Sequence, residues 1–301
     1  MDHLIRLIQQ YSSFMEPVSV PLNEVVDKLG TVPFWTLECF FPPVVLFDVY
    51  GTLFQSASGE ISLARIQGLD PSLDSLQPLE PFFPILPKGF TLKSLLTLFR
   101  EEVEKRHEEL RKKVPVPEIR VEEIWATVLR LDKEKAREFS LRFELSVNPV
   151  YPMPGALNAL PYLRSLGIVL GVVSNAQFFT PFYFQAFFGA SMEEIGFEKD
   201  LTVFSYQYGE AKPSTGLFQV VIPSLRKRNF SPHQVLYIGN DRLNDIYTPQ
   251  QLGFKTALFC GDARSLRLRL EDPRCGTVKP DFLIHDLGLI KSTDKILGGY
   301  K

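Results

Sequence analysis

Short apolar runs alternate with longer stretches of helical spacing along most of this chain. The runs cover residues 44–47 (VVLF), 168–173, 201–204, 235–238, 256–259 and 282–284. Each run is short and continuous, which is typical of strands that are buried on both faces of a parallel sheet. Helical patterns such as that of residues 156–165 precede several of them. The alternation predicts an α/β fold with a doubly wound, Rossmann-like parallel sheet.

The strand pattern stops between residues 54 and 150. Three charged stretches at 91–113, 121–131 and 133–147 carry apolar residues at spacings of three and four, which predicts helices. Charges of both signs alternate along residues 101–113, as on a solvated helix face, so we expect His107 to face solvent. We therefore predict a helical insert at residues 55–149 within a core formed by residues 44–54 and 150–301.

Residues 1–43 form an N-terminal appendage in this interpretation. It contains two amphipathic stretches, at 2–12 and 22–29, separated by a linker that contains proline. Its Phe and Trp residues have two possible roles, packing on the main body or docking a partner. Packing is favoured, because scattered aromatic residues usually belong to cores.

Composition and charge narrow the classes of function. The chain has 301 residues, of which 45% are hydrophobic and 23% charged, as in ordinary globular proteins. A net charge of −2 provides no overall positive field for nucleic acid or an anionic membrane, so we expect a small-molecule substrate. Three scattered cysteines, no secretory signal pattern and no apolar run of membrane-spanning length favour a cytoplasmic protein. The oligomeric state stays open.

Polar residues follow the apolar runs at the points where the predicted strands end. They are Asp48-Val49-Tyr50-Gly51-Thr52-Leu53, Ser174-Asn175, Gly239-Asn240-Asp241-Arg242-Leu243-Asn244-Asp245 and, between the last two, Lys212-Pro213. Ligands of open α/β sheets bind beyond the carboxyl ends of the strands, so we expect these residues to converge. Each has a structural alternative, since Asp, Ser and Asn also cap helices and form turns.

These residue types also suit a displacement reaction. A carboxylate such as that of Asp48 is a competent nucleophile that divides one difficult step into two easier ones. The charge of Lys212 would hold Asp48 ionised and offset negative charge on the substrate. The Ser174 hydroxyl and the main-chain amides beside Asn175 would hold a phosphoryl or carboxylate oxygen.

The motifs D-x-x-G-T-L, S-N, K-P and G-N-D-x-x-N-D occur in the order of the four motifs of the haloacid dehalogenase-like (HAD) hydrolase superfamily, which this chain therefore resembles. Residues 151–175 are similar to the helix and strand before the second motif, PDFLIHDLGLI resembles the last strand, and the insert lies where the family has its helical cap. The resemblance implies a hydrolase with Asp48, Lys212 and Ser174 as catalytic residues. The expected substrate contacts are Tyr50, Thr52, Ser174, Asn175 and Lys212.

A divalent cation is the expected cofactor. Asp241 and Asp245 lie four residues apart after a predicted strand and would face Asp48, so that three carboxylates would repel one another. Mg²⁺ resolves this repulsion, since it prefers carboxylate, carbonyl and water oxygens and bridges to phosphate. We assign Mg²⁺ to Asp48, the main-chain carbonyl of Tyr50 and Asp241, with Asp245 as a direct or water-mediated ligand.

Tyr50 departs from the pattern of the phosphatases that this chain resembles. Those enzymes usually have Asp two positions after the nucleophile, where it protonates the leaving group. The D-x-Y-G-T-L form instead resembles the haloacid dehalogenases, which use no metal. Asp241 and Asp245 resemble the phosphatase branch, and no Arg soon after Asp48 suits halide binding, since Arg65 is a poor candidate by spacing.

A Mg²⁺-dependent phosphohydrolase that acts on a small phosphorylated metabolite through an aspartyl-phosphate on Asp48 is therefore favoured. A metal-independent 2-haloacid dehalogenase and a non-catalytic binding protein on this scaffold are the alternatives. Loss of general acid catalysis costs about 10²- to 10⁴-fold, so slow turnover or a substrate such as an aryl or acyl phosphate is expected. Residues 55–65 are expected to approach the site as a flap.

Overall fold

The computed structural model describes residues 2–56 and 73–291. Most of the expected flap, residues 57–65, and with it Arg65, lies outside the described residues. Eight strands are present in this part of the chain: β1 (Val44–Phe47), β2 (Phe54–Ser56), β3 (Val150–Pro152), β4 (Val169–Ser174), β5 (Phe197–Phe204), β6 (Val235–Gly239), β7 (Lys255–Phe259) and β8 (Phe282–Ile284).

Six of these strands form one parallel sheet in the order β5-β4-β1-β6-β7-β8. Strand β1 lies in its centre, where Val44 pairs with Val169 of β4 on one side and with Val235 of β6 on the other. All four residues of β1 are fully buried, as its uninterrupted apolar sequence requires. The predicted α/β fold with a doubly wound parallel sheet is confirmed.

Helices cover both faces of the sheet and form the insert. They are α1 (Asp2–Tyr11), α2 (Leu22–Leu29), α3 (Leu92–Leu110), α4 (Val121–Leu129), α5 (Lys133–Val147), α6 (Ala156–Ser165), α7 (Thr180–Phe188), α8 (Met192–Ile195), α9 (Ser205–Tyr208), α10 (Gly216–Lys227) and α11 (Thr248–Gln250). A π-helical turn spans Arg242–Tyr247, and 3₁₀ segments span Leu73–Ile85, Pro232–Gln234, Pro273–Cys275 and Leu287–Lys291. None of the helices among the described residues is both long enough and apolar enough to cross a membrane.

The insert is connected to the sheet through a two-stranded antiparallel ribbon. Gln55 of β2 pairs with Tyr151 of β3, so the chain leaves and re-enters the core at one place. Helices α3, α4 and α5 pack around a buried aromatic centre, in which the rings of Phe99 and Trp125 lie 4.9 Å apart. Helix α3 begins at Thr91, whose side chain accepts a hydrogen bond from the Ser94 amide, and this cap explains where the helix starts.

The N-terminal residues pack on the main body. Leu7 and Ile8 of α1 are buried in the largest hydrophobic cluster, and α1 lies against α7 and α5. Helix α2 buries Val25 in a second cluster that includes Leu258 and Leu283 of the sheet. The described part of residues 1–43 is therefore attached to the core, which agrees with the packing interpretation of its apolar residues.

Candidate active site

Polar residues from four loops meet at the carboxyl edge of the sheet. Asp48 follows β1, Asn175 follows β4, Lys212 lies between α9 and α10, and Asp241 follows β6. All four line one cavity of about 430 Å³. The predicted convergence at the carboxyl ends of β1, β4 and β6 is thus present in the structure.

Lys212 forms the centre of this arrangement. Its Nζ lies 2.8 Å from Asp48 Oδ1, 2.6 Å from Asp245 Oδ1 and 2.9 Å from the Tyr237 hydroxyl. Burial alone lowers the pKa of Lys212, but Asp245 and Asp48 more than offset this effect, so its pKa is raised above the usual range. The ammonium therefore stays charged and fixes one oxygen of Asp48.

Tyr237 completes the surroundings of the ammonium, and no sequence motif indicates it. It lies within the apolar run of β6 and packs its ring against Phe218, with the ring centroids 4.8 Å apart. Its hydroxyl donates a hydrogen bond to the Val173 carbonyl at 2.6 Å and is thus oriented to accept from Lys212. An aromatic residue in a strand indicates core packing, and only the fold places this hydroxyl under the site.

Asn175 holds the loop that carries Lys212. Its side-chain oxygen accepts a hydrogen bond from the Lys212 amide at 2.8 Å, and its side-chain nitrogen donates to the Lys212 carbonyl at 3.1 Å. This two-point contact fixes the main chain on both sides of the Lys212 Cα atom. Asn175 also lines the cavity, so the position agrees with the predicted substrate contact while the amide group itself acts on the loop.

The two carboxylates of the fourth motif have different tasks. Asp241 Oδ1 accepts from the amides of Leu243 and Asn244, so Asp241 is the cap of the π-helical turn. Its Oδ2 is paired with the Arg269 guanidinium, with Nη2 at 2.5 Å. Asp245 is almost fully buried, accepts from the Asp241 amide through Oδ2 and binds Lys212 through Oδ1. Asp245 therefore connects the Asp48 side of the site to the Asp241 side.

Gly239 provides the space that Asp245 occupies. A Cβ atom at this position would lie 2.4 Å from the carboxyl carbon of Asp245, which is closer than real contacts allow. We expect Gly239→Ala to displace Asp245, to weaken its contact with Lys212, and to destabilise the protein by about 1–3 kcal/mol through overpacking. Urea unfolding and hydrolase assays measure both effects.

Gly276→Ala is the matched control. Its Cβ would come no closer than 3.3 Å to a neighbour, the Pro273 carbonyl oxygen, so we expect little change in either measurement. Wild-type stability and activity of the Gly239→Ala protein would contradict the role assigned to this close approach.

Three of the predicted substrate-contacting side chains have their polar atoms engaged within the protein. The Tyr50 hydroxyl lies 2.8 Å from Thr180 Oγ1, although Tyr50 itself lines the cavity. The Thr52 hydroxyl donates to the side-chain oxygen of Asn240 at 3.1 Å, and the Ser174 hydroxyl lies 3.3 Å from the Asn175 carbonyl. Thr52 and Ser174 are fully buried and are not among the described residues that line the cavity. In this conformation they support the loops around it.

The oxygen donors that face the cavity suit a hard cation with few protein ligands. The buried carboxylates of Asp48, Asp241 and Asp245 line the cavity, and Lys212 and Arg269 are the cations that pair with them. Within the described ranges no group of three or more His, Cys, Asp or Glu side chains is arranged to hold a metal. Two carboxylates, the Tyr50 carbonyl, water and substrate oxygens form a set that Mg²⁺ accepts. Both oxygens of Asp245 are engaged by the protein, which favours an indirect role for it. Both oxygens of Asp241 are engaged as well, so a cation bound by Asp241 would have to displace the Arg269 guanidinium from Oδ2.

Several residues of the cavity wall come from segments without a recognisable motif. They are His107, Glu118, Gln177, Arg269 and Arg274. His107 is half-buried rather than fully exposed and lines the cavity, and burial lowers its pKa. The charged pattern of α3 could not show this, because helical spacing identifies the apolar face and not which charged residue lies at its border.

Comparisons with known proteins agree with this arrangement. The sequence model of a family described as haloacid dehalogenase-like hydrolase matches residues 42–253. The haloacid dehalogenase-like hydrolase domain-containing protein 3 of Xenopus laevis is 29% identical over 139 residues, which are 44% of this chain and 49% of that protein. The matched region thus spans about half the length of this curated relative.

The chain is similar to solved structures, of which the first shows the shared fold. A HAD phosphatase from Thermococcus onnurineus has a TM-score of 0.50 at 19% identity, over 85% of this chain and 98% of its own. The L-2-haloacid dehalogenase from Xanthobacter autotrophicus has a TM-score of 0.47 at 18% identity, over 83% and 97%. The family match includes Asp48, the Lys212 loop and the fourth motif, and the sheet brings them together around one cavity. This chain therefore belongs to the haloacid dehalogenase-like hydrolases.

Proposed function

We propose that this hydrolase is a Mg²⁺-dependent phosphohydrolase that acts on a small phosphorylated metabolite through an aspartyl-phosphate on Asp48. The observation that carries the proposal is the buried Lys212 ammonium, 2.8 Å from Asp48, in a cavity that the buried carboxylates of Asp241 and Asp245 also line. Buried carboxylates that lie close together are costly unless cations neutralise their charge. A site of this charge suits a phosphoryl group that arrives with a divalent metal.

In this proposal Asp48 attacks the substrate, and the residues around it position Asp48 and Lys212. Lys212 holds one oxygen of Asp48, which leaves the other oxygen to attack phosphorus in line with the leaving group. Asp245 and Tyr237 hold Lys212, and Asn175 holds its loop. Mg²⁺, when bound by Asp48, the Tyr50 carbonyl and Asp241, would neutralise the charge of the phosphoryl oxygens.

A metal-independent 2-haloacid dehalogenase is the second candidate. The ion pair between Arg269 and Asp241 favours it, because this guanidinium already neutralises one of the carboxylates assigned to the metal. Tyr50 also favours it, since halide needs no proton to leave. A non-catalytic binding protein is the third candidate and requires that the Asp48–Lys212 pair is retained without turnover.

Phosphate release from p-nitrophenyl phosphate tests these candidates. We expect release with Mg²⁺, none with EDTA, and recovery when Mg²⁺ is restored. Halide release from 2-chloropropionate that is insensitive to EDTA, with no phosphate release, would replace the proposal by the dehalogenase. Absence of both activities, together with no calorimetric signal for Mg²⁺, would leave the binding protein.

Asp241→Asn tests the metal assignment. The amide keeps the shape and the capping oxygen but removes the charge that would bind the cation. We expect the Mg²⁺ concentration for half-maximal phosphate release to rise at least about 10- to 100-fold, the loss typical even of an outer-shell partner. Asp27→Asn on the exposed face of α2 is the control and should leave the Mg²⁺ titration unchanged. An unaltered titration in the Asp241→Asn protein would remove Asp241 from the metal site.

A further inference from the structure

The position that usually supplies the leaving-group proton is occupied by a side chain that is poorly suited to this task. Burial raises the pKa of Tyr50 well above its usual value, which makes its hydroxyl a weak acid. The hydroxyl also lies 2.8 Å from Thr180 Oγ1 of α7 and is nearly inaccessible to solvent. A proton for the leaving group must therefore come from another wall of the cavity.

Glu118 also lines the cavity, on the segment between α3 and α4. This segment is attached directly to the loop that carries Lys212. The Glu118 amide donates to the Gly209 carbonyl at 3.0 Å, and the Ala211 amide donates to the Val116 carbonyl at 2.9 Å. These two main-chain bonds fix Glu118 beside the site, and its side chain lines the same cavity as Asp48.

The contacts of the Glu118 carboxyl group are all with neutral donors. Oε2 lies 2.6 Å from Ser205 Oγ, and Oε1 accepts from the Ile119 amide at 2.9 Å and from Gln177 Nε2 at 3.2 Å. No ion pair of Glu118 is present within residues 2–56 and 73–291. Burial without a cationic partner raises the pKa of Glu118 to about 7, so a substantial fraction keeps its proton at neutral pH.

We propose that Glu118 is the general acid of this enzyme and performs the step that Tyr50 does not. The inference rests on the proposed phosphohydrolase function. The sequence alone predicted slow turnover or a substrate whose leaving group needs little protonation. With an acid in the wall of the cavity that Asp48 lines, alkyl phosphates are substrates as well.

Glu118 donates its proton in the first step and regains one in the second. A carboxylate oxygen of Asp48 forms a bond to phosphorus, the bond from phosphorus to the leaving oxygen breaks, and its electron pair stays on that oxygen. The leaving oxygen takes the proton of Glu118, which becomes a carboxylate. In the second step this carboxylate accepts a proton from the water that attacks phosphorus, the bond to Asp48 breaks, and both side chains return to their first state.

Glu118→Gln tests the proposal through the nature of the leaving group. Glutamine keeps the shape and the two contacts accepted by Oε1, from the Ile119 amide and Gln177, but loses the contact accepted from Ser205 and carries no acidic proton. We expect kcat/KM for an alkyl phosphate such as glycerol 2-phosphate to fall by about 10²- to 10⁴-fold. The value for p-nitrophenyl phosphate should change little, because p-nitrophenolate leaves without protonation. An equal loss for both substrates, or no loss for either, would overturn the proposal.

Glu144→Gln is the matched control. Glu144 in α5 is another buried glutamate of the insert whose pKa burial raises to about 7, and it is bound to Asn148 rather than placed on the cavity wall. We expect equal and near-wild-type values of kcat/KM for both substrates in this variant. A selective loss for the alkyl phosphate here would show that any buried insert glutamate produces the effect, and would count against Glu118.

The wild-type enzyme provides a measurement that does not depend on folding of the variant. Across a series of aryl and alkyl phosphates, kcat/KM should depend weakly on the pKa of the leaving group, because protonation compensates for poor leaving groups. A steep decline would overturn the role of Glu118 while phosphate release from the good leaving groups still supports the phosphohydrolase. Absence of any phosphate release that requires Asp48 would instead refute the proposed function itself.

Discussion

Asp48→Asn is expected to reduce phosphate release by about 10⁴-fold or more, as removal of a nucleophile typically does. The amide keeps the size of the side chain and can still accept a hydrogen bond from Lys212, but it does not form the covalent intermediate. Lys212 also keeps its contacts with Asp245 and Tyr237, so the site should stay assembled. Phosphate release under saturating Mg²⁺ measures the loss.

The folded state of this variant is checked independently. Its urea midpoint and near-ultraviolet circular dichroism should match those of the wild-type protein, which separates loss of the nucleophile from loss of the fold. Activity within about tenfold of wild type would contradict the mechanism, because general acid catalysis and binding alone do not replace a covalent step.

Lys212→Met is expected to have the largest effect on stability. The thioether fills a similar volume but leaves Asp48 and Asp245 without the cation that lies 2.8 Å and 2.6 Å from them. Breaking a buried ion pair by removing one partner costs about 3–5 kcal/mol, because the remaining charge stays buried and unpaired. The free energy of unfolding at neutral pH, measured in urea, should fall by this amount, and hydrolysis should be lost.

A surface ion pair of the same protein gives the comparison. Arg228 binds Glu198 and Asp200 at 2.9 Å and 2.7 Å, but these side chains are accessible to solvent. Arg228→Ala should cost about 0–1 kcal/mol. If Lys212→Met were no more destabilising than Arg228→Ala, the buried Lys212 cluster would not have the energetic role assigned to it.

The fold could be predicted wherever local pattern and tertiary environment agree. The bounds of α2, α5 and α6 match the predicted stretches, as do those of β1 and β8. Strand β5 begins at Phe197, four residues before the predicted start at residue 201. The sequence pattern missed this part of the strand because the exposed residues Glu198, Lys199 and Asp200 interrupt the apolar run. The three-residue strands β2 and β3 are too short to carry a period, so pairing across the insert determines them.

The site could be predicted to the same extent. Asp48, Lys212, Asn175 and Asp241 line the cavity as the strand-end rule implies, and Asp245 joins them through Lys212. The strand-end rule does not identify side chains that reach the cavity from other parts of the chain. Tyr237 is hidden in an apolar strand, and Arg269, Glu118 and His107 come from segments that only tertiary packing brings to the cavity.

The position of the oxygen label after one turnover in ¹⁸O water tests whether the intermediate on Asp48 is hydrolysed at phosphorus, as an aspartyl-phosphate is, or at the carboxyl carbon, as an ester is. Enzyme in excess over substrate is allowed to hydrolyse one equivalent with Mg²⁺, and mass spectrometry is applied to the phosphate and to the peptide that contains Asp48. We predict label in the phosphate and none in Asp48, because water attacks the phosphorus of the intermediate. Label in the Asp48 carboxylate, with unlabelled phosphate, would be incompatible with hydrolysis of an aspartyl-phosphate at phosphorus. It would indicate that water attacks the carboxyl carbon, as in an ester intermediate.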